Sequence, residues 1–143
     1  MIGVNPYIAF KGNCQEAIDF YKDALGAEVL FTQTYGNSPM AKMGPADAIM
    51  HCTIKVGESN IMMCDDMRPE AGDAGSNISL AVGLNDTDRA KTIFNNLSDG
   101  GNVTMPLDKT FWAEAFGMLT DKFGINWMVN CDAPQTEEKA AAH

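Results

Sequence analysis

Two stretches of the chain carry apolar side chains at helical spacing. In residues 13–26 and again in residues 85–101, apolar positions recur three and four residues apart, with charged residues mostly between them. Asn13 is the expected N-cap of the first helix, with Glu16 three residues later, and Gly26 is expected to end it. The two stripes are Cys14, Ala17, Ile18, Tyr21 and Leu25 in the first helix and Ala90, Ile93, Phe94 and Leu97 in the second.

Segments rich in β-forming residues surround both predicted helices. A short strand is expected before each helix, at PYIAF and at NISLAVGL, and AEVLFTQTY follows the first helix. Each half closes with a hairpin: AIMHCTIKV turns at Gly57 into NIMMC, and FWAEAFGML turns near Gly124 into NWMVN. Residues 60–63 line up with residues 126–129. The order strand, helix, strand, strand, strand therefore appears twice along the chain.

Polar segments divide the chain into two predicted modules. DMRPEAGDAG is polar and contains Pro and Gly, as a linker should, so the expected modules are residues 1–70 and 71–132. Residues 133–143 lack an apolar period and are expected to form a flexible tail. The segment at 36–47, GNSPMAKMGPAD, is long for a hairpin connection and is expected to be a mobile loop that closes one end of a cleft.

Composition and charge exclude several classes of partner. The 143 residues are 45% apolar and 20% charged, which suits one compact domain or two small modules sharing a core. A net charge of −9 with ten scattered basic residues argues against nucleic-acid and membrane partners. We find neither a signal-peptide pattern nor an apolar run of roughly 18 residues. Four scattered cysteines are expected to be free thiols in a cytoplasmic protein.

Three stretches resemble the vicinal oxygen chelate superfamily, which includes glyoxalase I, extradiol dioxygenases, and fosfomycin and bleomycin resistance proteins. NPYIAFKGNCQEAIDFYKDALGAE, NIMMCDD and FWAEAFGMLTDKFGINWMVN are similar to its PhnB-like branch, whose members are sometimes labelled demethylubiquinone methyltransferases. The resemblance implies an α+β fold in which tandem βαβββ modules form curved mixed sheets around a cleft, with the helices outside. It also implies a homodimer. The chain has no G-x-G-x-x-G turn, so its sequence does not favour methyl transfer.

The resemblance further implies four inward-pointing positions for metal ligands, which fall at Pro6, His51, Asn77 and Met128. Only His51 is a strong ligand, because proline has no side-chain donor, asparagine offers a neutral carbonyl and methionine a weak thioether. A catalytic divalent cation normally takes three carboxylate or imidazole ligands. We therefore expect no cofactor. The alternatives are a divalent metal held in a different geometry and a soft copper site.

The strand predicted at residues 111–119 separates large from small side chains. Alternation places Trp112, Glu114, Phe116 and Met118 on one face and Ala113, Ala115 and Gly117 on the other. The small face is expected to allow close packing by a helix or by the sister module. Trp127 points opposite to Met128 and is expected to lie in the core. The large face is expected to supply the aromatic wall of a pocket.

The predicted ligand-binding residues are His51, Asn77, Trp112, Glu114, Phe116 and Met128. His51 and Glu114 are also acid–base candidates, the alternatives being a wall histidine and a rim carboxylate that reaches water. Asp65 and Asp66 are expected to form a solvated turn, with cation binding as the alternative.

Three classes of function follow. The first is a protein that binds a small apolar or weakly polar molecule without a metal. The second is an enzyme of the same superfamily, either a metal-dependent lyase or dioxygenase or an acid–base catalyst using His51 and Glu114. The third is an interaction protein with no ligand. The identity of the ligand is not encoded in any motif of the sequence.

Overall fold

The computed structural model of the chain describes residues 2–68, 75 and 77–132. The chain divides into two compact units, Met1–Gly72 and Asp73–His143. The predictions for most of the linker and for the tail concern residues outside the described ones. The first unit contains β1 (Tyr7–Phe10), α1 (Cys14–Leu25), β2 (Glu28–Thr34), β3 (Ile49–Val56) and β4 (Ser59–Asp65). The second contains β5 (Leu80–Leu84), α2 (Thr87–Ser98), β6 (Asn102–Asp108), β7 (Ala115–Thr120) and β8 (Asn126–Cys131).

Each unit forms one four-stranded mixed sheet with the same topology. The strand orders are β1-β4-β3-β2 and β5-β8-β7-β6, with the first strand of each unit parallel to the last and the other neighbours antiparallel. Met62 pairs with Tyr7 and Thr53, and Met128 pairs with Ala81 and Met118 in the same way. The α+β fold of tandem βαβββ modules is therefore confirmed, together with the predicted alignment of the two hairpins.

Each helix packs on one face of its own sheet. The predicted apolar stripes are buried in both helices, with α1 against β3 and β4 and α2 against β6, β7 and β8. Burial alternates along β7 and β8, with Leu119, Trp127 and Val129 on the covered side. Because successive strand side chains point to opposite faces, the residues between them are turned away from the helix.

Close packing of α2 depends on a glycine in β7. A Cβ atom at Gly117 would lie 2.6 Å from Cε2 of Phe94 and 2.9 Å from Cα of Leu107. The small face predicted for this strand therefore packs against a helix, as expected. The strand itself begins at Ala115, so the prediction of a strand from residue 111 is wrong.

The segment before β7 is a bend because Thr110 competes with sheet pairing. The Thr110 hydroxyl accepts hydrogen bonds from the backbone N–H groups of Trp112 (3.4 Å) and Ala113 (3.1 Å). The strand predicted from Asn77 also starts later, at Leu80. The sequence provided no bounds for β6, an edge strand that includes Pro106, a residue tolerated only at sheet edges.

The first turn of α1 is held differently from the prediction. The Asn13 side chain makes no capping hydrogen bond. Instead, Oδ1 of Asp65 accepts from the backbone N–H groups of Gly12 and Cys14, and Oδ2 accepts from that of Ile49, each at 2.9 Å. Asp65 is 1% exposed, so the prediction of a solvated turn is wrong for this residue. A carboxylate at this position accepts hydrogen bonds from N–H groups that have no partner within the helix. It also interacts favourably with the positive, N-terminal end of the helix dipole.

Asp66 has a different environment from its buried neighbour. Its carboxylate binds the Arg68 guanidinium, with Oδ2 and Nη2 2.7 Å apart. The hydrogen bonds from Arg68 lower the pKa of Asp66 to about 2. The two adjacent carboxylates therefore serve separate partners rather than one shared cation.

The segment at 36–47 is closed by backbone hydrogen bonds at its base. The Tyr35 N–H donates to the Ala48 carbonyl and the Gly36 N–H to the Ala46 carbonyl, both at 3.0 Å. A short 3-10 helix, Ala41–Met43, lies within it. The Tyr35 hydroxyl donates to the Asp65 carbonyl at 2.7 Å, which anchors the start of the segment. Its mobility and its closing of a cleft stay predictions.

Replacing Asp65 by alanine should destabilise the protein by roughly 3 kcal/mol or more, because three backbone N–H groups lose a buried charged acceptor. Chemical denaturation followed by circular dichroism measures this loss. Asp23→Ala, at an exposed position of α1, is the matched control and should change stability little. Equal stability of the two variants would contradict the assigned role of Asp65.

Adding a methyl group at Gly117 should destabilise the second unit by about 1 to 3 kcal/mol, because Phe94 and the β6 backbone must move. Gly83→Ala is the control on the same sheet, since no atom lies within 4 Å of its added Cβ. Thermal unfolding of both variants provides the comparison. A Gly117→Ala protein as stable as Gly83→Ala would show that α2 packs less closely than described.

Candidate functional site

The face of the first sheet that turns away from α1 carries polar and aromatic side chains. Register places Tyr7, Met62 and Thr53 in one row, and β2 adds Phe31 opposite Thr53. His51 lies two residues before Thr53 on β3, so its side chain points to the same face. The polar face is defined here as Tyr7, Phe31, His51, Thr53, Met62 and Cys64.

Both ring nitrogens of His51 have hydrogen-bond partners. Nδ1 lies 3.1 Å from the Tyr7 hydroxyl, and Nε2 lies 3.2 Å from Oγ1 of Thr53. The ring centroid is 5.6 Å from that of Tyr7 and 5.9 Å from that of Phe31. His51 is half-buried and lies on the uncovered face rather than in the core. Its imidazole is therefore held in one orientation between a phenol and a hydroxyl.

Tyr7 belongs to this cluster, although it was not among the residues predicted from the sequence. Burial raises the pKa of its phenol to about 12, and the neighbouring Cys64 thiol adds to the shift. Burial also raises the pKa of the Cys64 thiol. Both groups therefore stay protonated at neutral pH. Side chains alternate between the two faces of the strand PYIAF, so Tyr7 points to the opposite face from Ile8. This alternation was the one indication in the sequence that Tyr7 lies on the uncovered face.

The corresponding face of the second sheet is apolar. Met105, Met118 and Met128 form a row across β6, β7 and β8. Phe116 follows on the same face, and its ring centroid lies 5.3 Å from that of Trp112. Met105 is 44% exposed and Trp112 is 51% exposed. The apolar face is defined here as Met105, Trp112, Phe116, Met118 and Met128.

The two faces occupy equivalent positions of the repeated fold. Because Met62 matches Met128, the pairing across each hairpin matches Thr53 with Met118. Two residues earlier, His51 then matches Phe116. The hydrogen-bonded cluster of the first unit therefore stands where the second unit has an aromatic and a thioether side chain.

The other predicted site residues do not all join these faces. Asn77 is exposed and precedes β5. The Glu114 side chain is 41% exposed and lies 4.0 Å from Nζ of Lys109, a surface pair of little energetic weight. Among the six predicted residues, the structure brings Trp112, Phe116 and Met128 onto one face, and it places His51 in the other unit.

Trp127 lies in the core, as predicted. It is 2% exposed, and its indole N–H donates to Oδ2 of Asp121 at 2.9 Å. The other oxygen of Asp121 accepts from the backbone N–H groups of Phe123 and Ile125, which shapes the turn between β7 and β8.

The residues at the four family positions do not fit a catalytic divalent cation. Pro6 contributes only its carbonyl, which accepts from the Met62 N–H at 2.9 Å. Asn77 and Met128 offer weak ligands, and both nitrogens of His51 are already hydrogen-bonded. Within residues 2–68, 75 and 77–132, no three His, Cys, Asp or Glu side chains are grouped closely enough to hold a metal ion.

Comparison with known proteins identifies the class to which this fold and these faces belong. The sequence pattern of the Glyoxalase/Bleomycin resistance protein/Dioxygenase superfamily matches residues 3–129. The chain therefore belongs to this superfamily, and the resemblance seen in its sequence is confirmed. Among the described elements, no helix is long and apolar enough to cross a membrane.

Individual relatives are similar over nearly their whole length. Protein YjdN of Escherichia coli is 36% identical over 138 residues, spanning 89% of this chain and 93% of YjdN. The crystal structure of protein PA1353 from Pseudomonas aeruginosa is 38% identical, with a TM-score of 0.82 over 94% of this chain and 100% of that chain. A Bacillus cereus protein described as a putative 3-demethylubiquinone-9 3-methyltransferase, PhnB protein, has a TM-score of 0.79 at 22% identity over 91% and 99% of the two chains, which shows the shared fold alone.

The raised pKa of Tyr7 should make stability fall at alkaline pH. Its folded-state pKa of about 12 exceeds the ordinary value of 10.0, so the contribution is complete below pH 10 and is lost as pH rises towards the folded value. Denaturant unfolding of Tyr7→Phe across this window should show a shallower decline than the wild-type protein. At neutral pH the two proteins should respond to pH in the same way. Identical alkaline slopes would contradict the assignment.

Proposed function

We propose that the protein binds a small, mostly apolar molecule through the apolar face, without a resident metal ion. The single observation that carries this proposal is the row Met105, Met118 and Met128 beside the stacked Phe116 and Trp112 rings. Methionine side chains are flexible and polarisable, and they suit surfaces that adapt to ligands of different shape. Aromatic rings beside them supply a large apolar contact area.

The exposure of these side chains supports a role in ligand binding rather than a role in the hydrophobic core. Trp112 and Met105 are about half exposed, whereas the covered face of the same sheet buries Leu119, Trp127 and Val129. A contiguous exposed apolar surface on a soluble protein commonly marks a binding site. The proposal therefore assigns the covered face to stability and the apolar face to recognition.

The donor chemistry of the chain supports a metal-independent site. Of the four family positions, one holds an imidazole and the others hold proline, asparagine and methionine, so a divalent cation would lack the usual three strong ligands. The fold does not support methyl transfer either. A methyl-donor site normally lies on a doubly wound parallel sheet, whereas the two sheets of this protein are mostly antiparallel. The homodimer and the cytoplasmic location stay predictions.

A titration with the neutral fluorescent probe N-phenyl-1-naphthylamine tests the proposal. Saturable binding is expected, with a change in tryptophan emission from Trp112, since Trp127 is buried. Phe116→Ala should weaken binding roughly fivefold because an aromatic contact is lost. Ile78→Ala removes a mostly exposed apolar side chain outside the sheets and should leave affinity unchanged.

Two results would overturn the proposal. The first is an absence of saturable binding by the wild-type protein, or an equal loss of affinity in the Phe116→Ala and Ile78→Ala variants. The second is a stoichiometric transition metal in freshly purified protein, measured by elemental analysis, together with loss of probe binding after chelation. The metal result would favour the metal-dependent lyase or dioxygenase alternative.

A further inference from the structure

The uncovered face of the second sheet carries an asparagine beside its aromatic and thioether side chains. Asn130 pairs with Phe116 on β7 and with Gly83 on β5, so its side chain stands across from Phe116 on the same face. It lies two residues after Met128 on β8. A carboxamide therefore borders the apolar side chains to which the binding function is assigned.

The carboxamide of Asn130 has a defined orientation. Its Nδ2 lies 3.1 Å from Oδ1 of Asp132. An ionised carboxylate only accepts hydrogen bonds, so the amide nitrogen must face Asp132 and the amide oxygen must point the other way. The backbone fixes Asp132 in turn, since its N–H donates to the Leu84 carbonyl at 2.9 Å. The chemistry of the two groups thus leaves one direction for this hydrogen bond.

Asn126, four residues earlier on the same face, has a structural role by contrast. Its Nδ2 donates to the backbone carbonyls of Gly75 at 2.8 Å and Ile78 at 3.1 Å, and its Oδ1 accepts from the Thr120 hydroxyl at 3.0 Å. In the described part of the chain, no residue donates a hydrogen bond to Oδ1 of Asn130. The Asn130 oxygen is therefore an acceptor that the fold itself does not use.

We propose that Oδ1 of Asn130 accepts a hydrogen bond from an N–H or hydroxyl group of an aromatic ligand on the apolar face, with Asp132 as the positioning residue. This inference rests on the proposed binding function and adds the chemical class of its ligand. All the residues involved belong to the second unit.

Selection for such a ligand arises from the cost of an acceptor that loses water. A ligand that covers Phe116 also removes water from the adjacent amide oxygen of Asn130. A ligand with an N–H or hydroxyl group replaces the lost partner, whereas a hydrocarbon ligand leaves the oxygen without one. A buried acceptor without a partner costs more free energy than an ordinary hydrogen bond contributes.

The neighbouring edge strand leaves the Asn130 amide accessible. Gly83 on β5 is the residue opposite Asn130, and no atom lies within 4 Å of a Cβ added there. Ala81, the next residue on this face of β5, is small and exposed. A ligand group can therefore approach the amide oxygen from the β5 side of the face.

The charges around the amide favour a donor over an anion. Asp108 lies in the same row of the face, and Asp132 accepts from the amide nitrogen. Nζ of Lys109 lies 4.0 Å from Oε2 of Glu114, so this pair adds little net charge. The two remaining carboxylates repel an anionic ligand.

Two probes of equal size test the inference. Indole carries one N–H group, and indene has a CH₂ group in its place. NMR titrations give the ratio of indole affinity to indene affinity for the wild-type protein and for Asn130→Leu, whose side chain has a similar size. The ratio should be roughly two- to tenfold higher for the wild-type protein, the worth of one neutral hydrogen bond. Asn130→Leu should not weaken indene binding, because it removes no apolar contact.

Two further variants provide the control and the test of the positioning residue. Asn95→Leu makes the same chemical change at an exposed site on α2, which packs on the opposite face of the sheet, and should leave the ratio at its wild-type value. Asp132→Ala removes the carboxylate that orients the amide. It should lower the ratio towards that of Asn130→Leu without weakening indene binding, whereas a purely structural role of Asp132 would weaken both probes alike.

The outcomes separate this inference from the proposed function. Equal ratios for the wild-type protein and Asn130→Leu, or an absence of saturable indole binding, overturn the inference and leave binding of N-phenyl-1-naphthylamine by the apolar face intact. Failure of N-phenyl-1-naphthylamine to bind saturably overturns the proposed function itself. A ratio that falls in Asn130→Leu and in Asp132→Ala, and is retained in Asn95→Leu, supports the inference.

Discussion

The carboxylate of Asp65 holds together three segments of the first unit that are distant in sequence. It accepts hydrogen bonds from the loop before α1, from the first turn of that helix and from the start of β3, at Ile49. A buried N–H group that loses its acceptor costs free energy, so these three contacts stabilise the fold. The contacts align the start of β3 with the end of β4, so that His51, two residues beyond Ile49, lies within reach of Tyr7 on β1. The polar face therefore depends on a charge buried on the opposite side of the sheet.

The two units show how one backbone supports two kinds of surface. Strand order and hairpin register are the same in both sheets, yet Phe116 and Met118 stand where the first unit has His51 and Thr53. The helix-covered faces must stay apolar because they form the core. No such constraint acts on the uncovered faces, whose side chains are free to change without loss of the fold. Membership of the Glyoxalase/Bleomycin resistance protein/Dioxygenase superfamily agrees with one backbone that carries different surfaces.

The side chains of the uncovered faces offer two kinds of interaction, apolar contact and hydrogen bonding. Thioether and aromatic side chains contribute dispersion and desolvation, while the phenol, imidazole and hydroxyl groups of the first sheet contribute directional bonds. Tyr7 and Cys64 both have raised pKa values and stay neutral at neutral pH, which suits donation more than nucleophilic attack. A carboxylate such as Glu114, exposed beside Lys109, is better placed to interact with water than with an apolar ligand.

Short-range patterns in the sequence determined the helices, the hairpins, the repeat and the burial of Trp127, because helical and strand periods are written directly in the order of apolar residues. They also indicated the apolar side chains at positions 112, 116 and 128. Tertiary structure alone decided that Asp65, rather than Asn13, supports α1, and that Tyr7, His51 and Thr53 form one hydrogen-bonded chain. It also placed Asn77 and Glu114 in exposed positions outside the strands. The contacts of Asp65 with Cys14 and of Tyr7 with His51 join residues 51 and 44 positions apart. They depend on strand register, and no local period along the chain encodes which residues a register brings together.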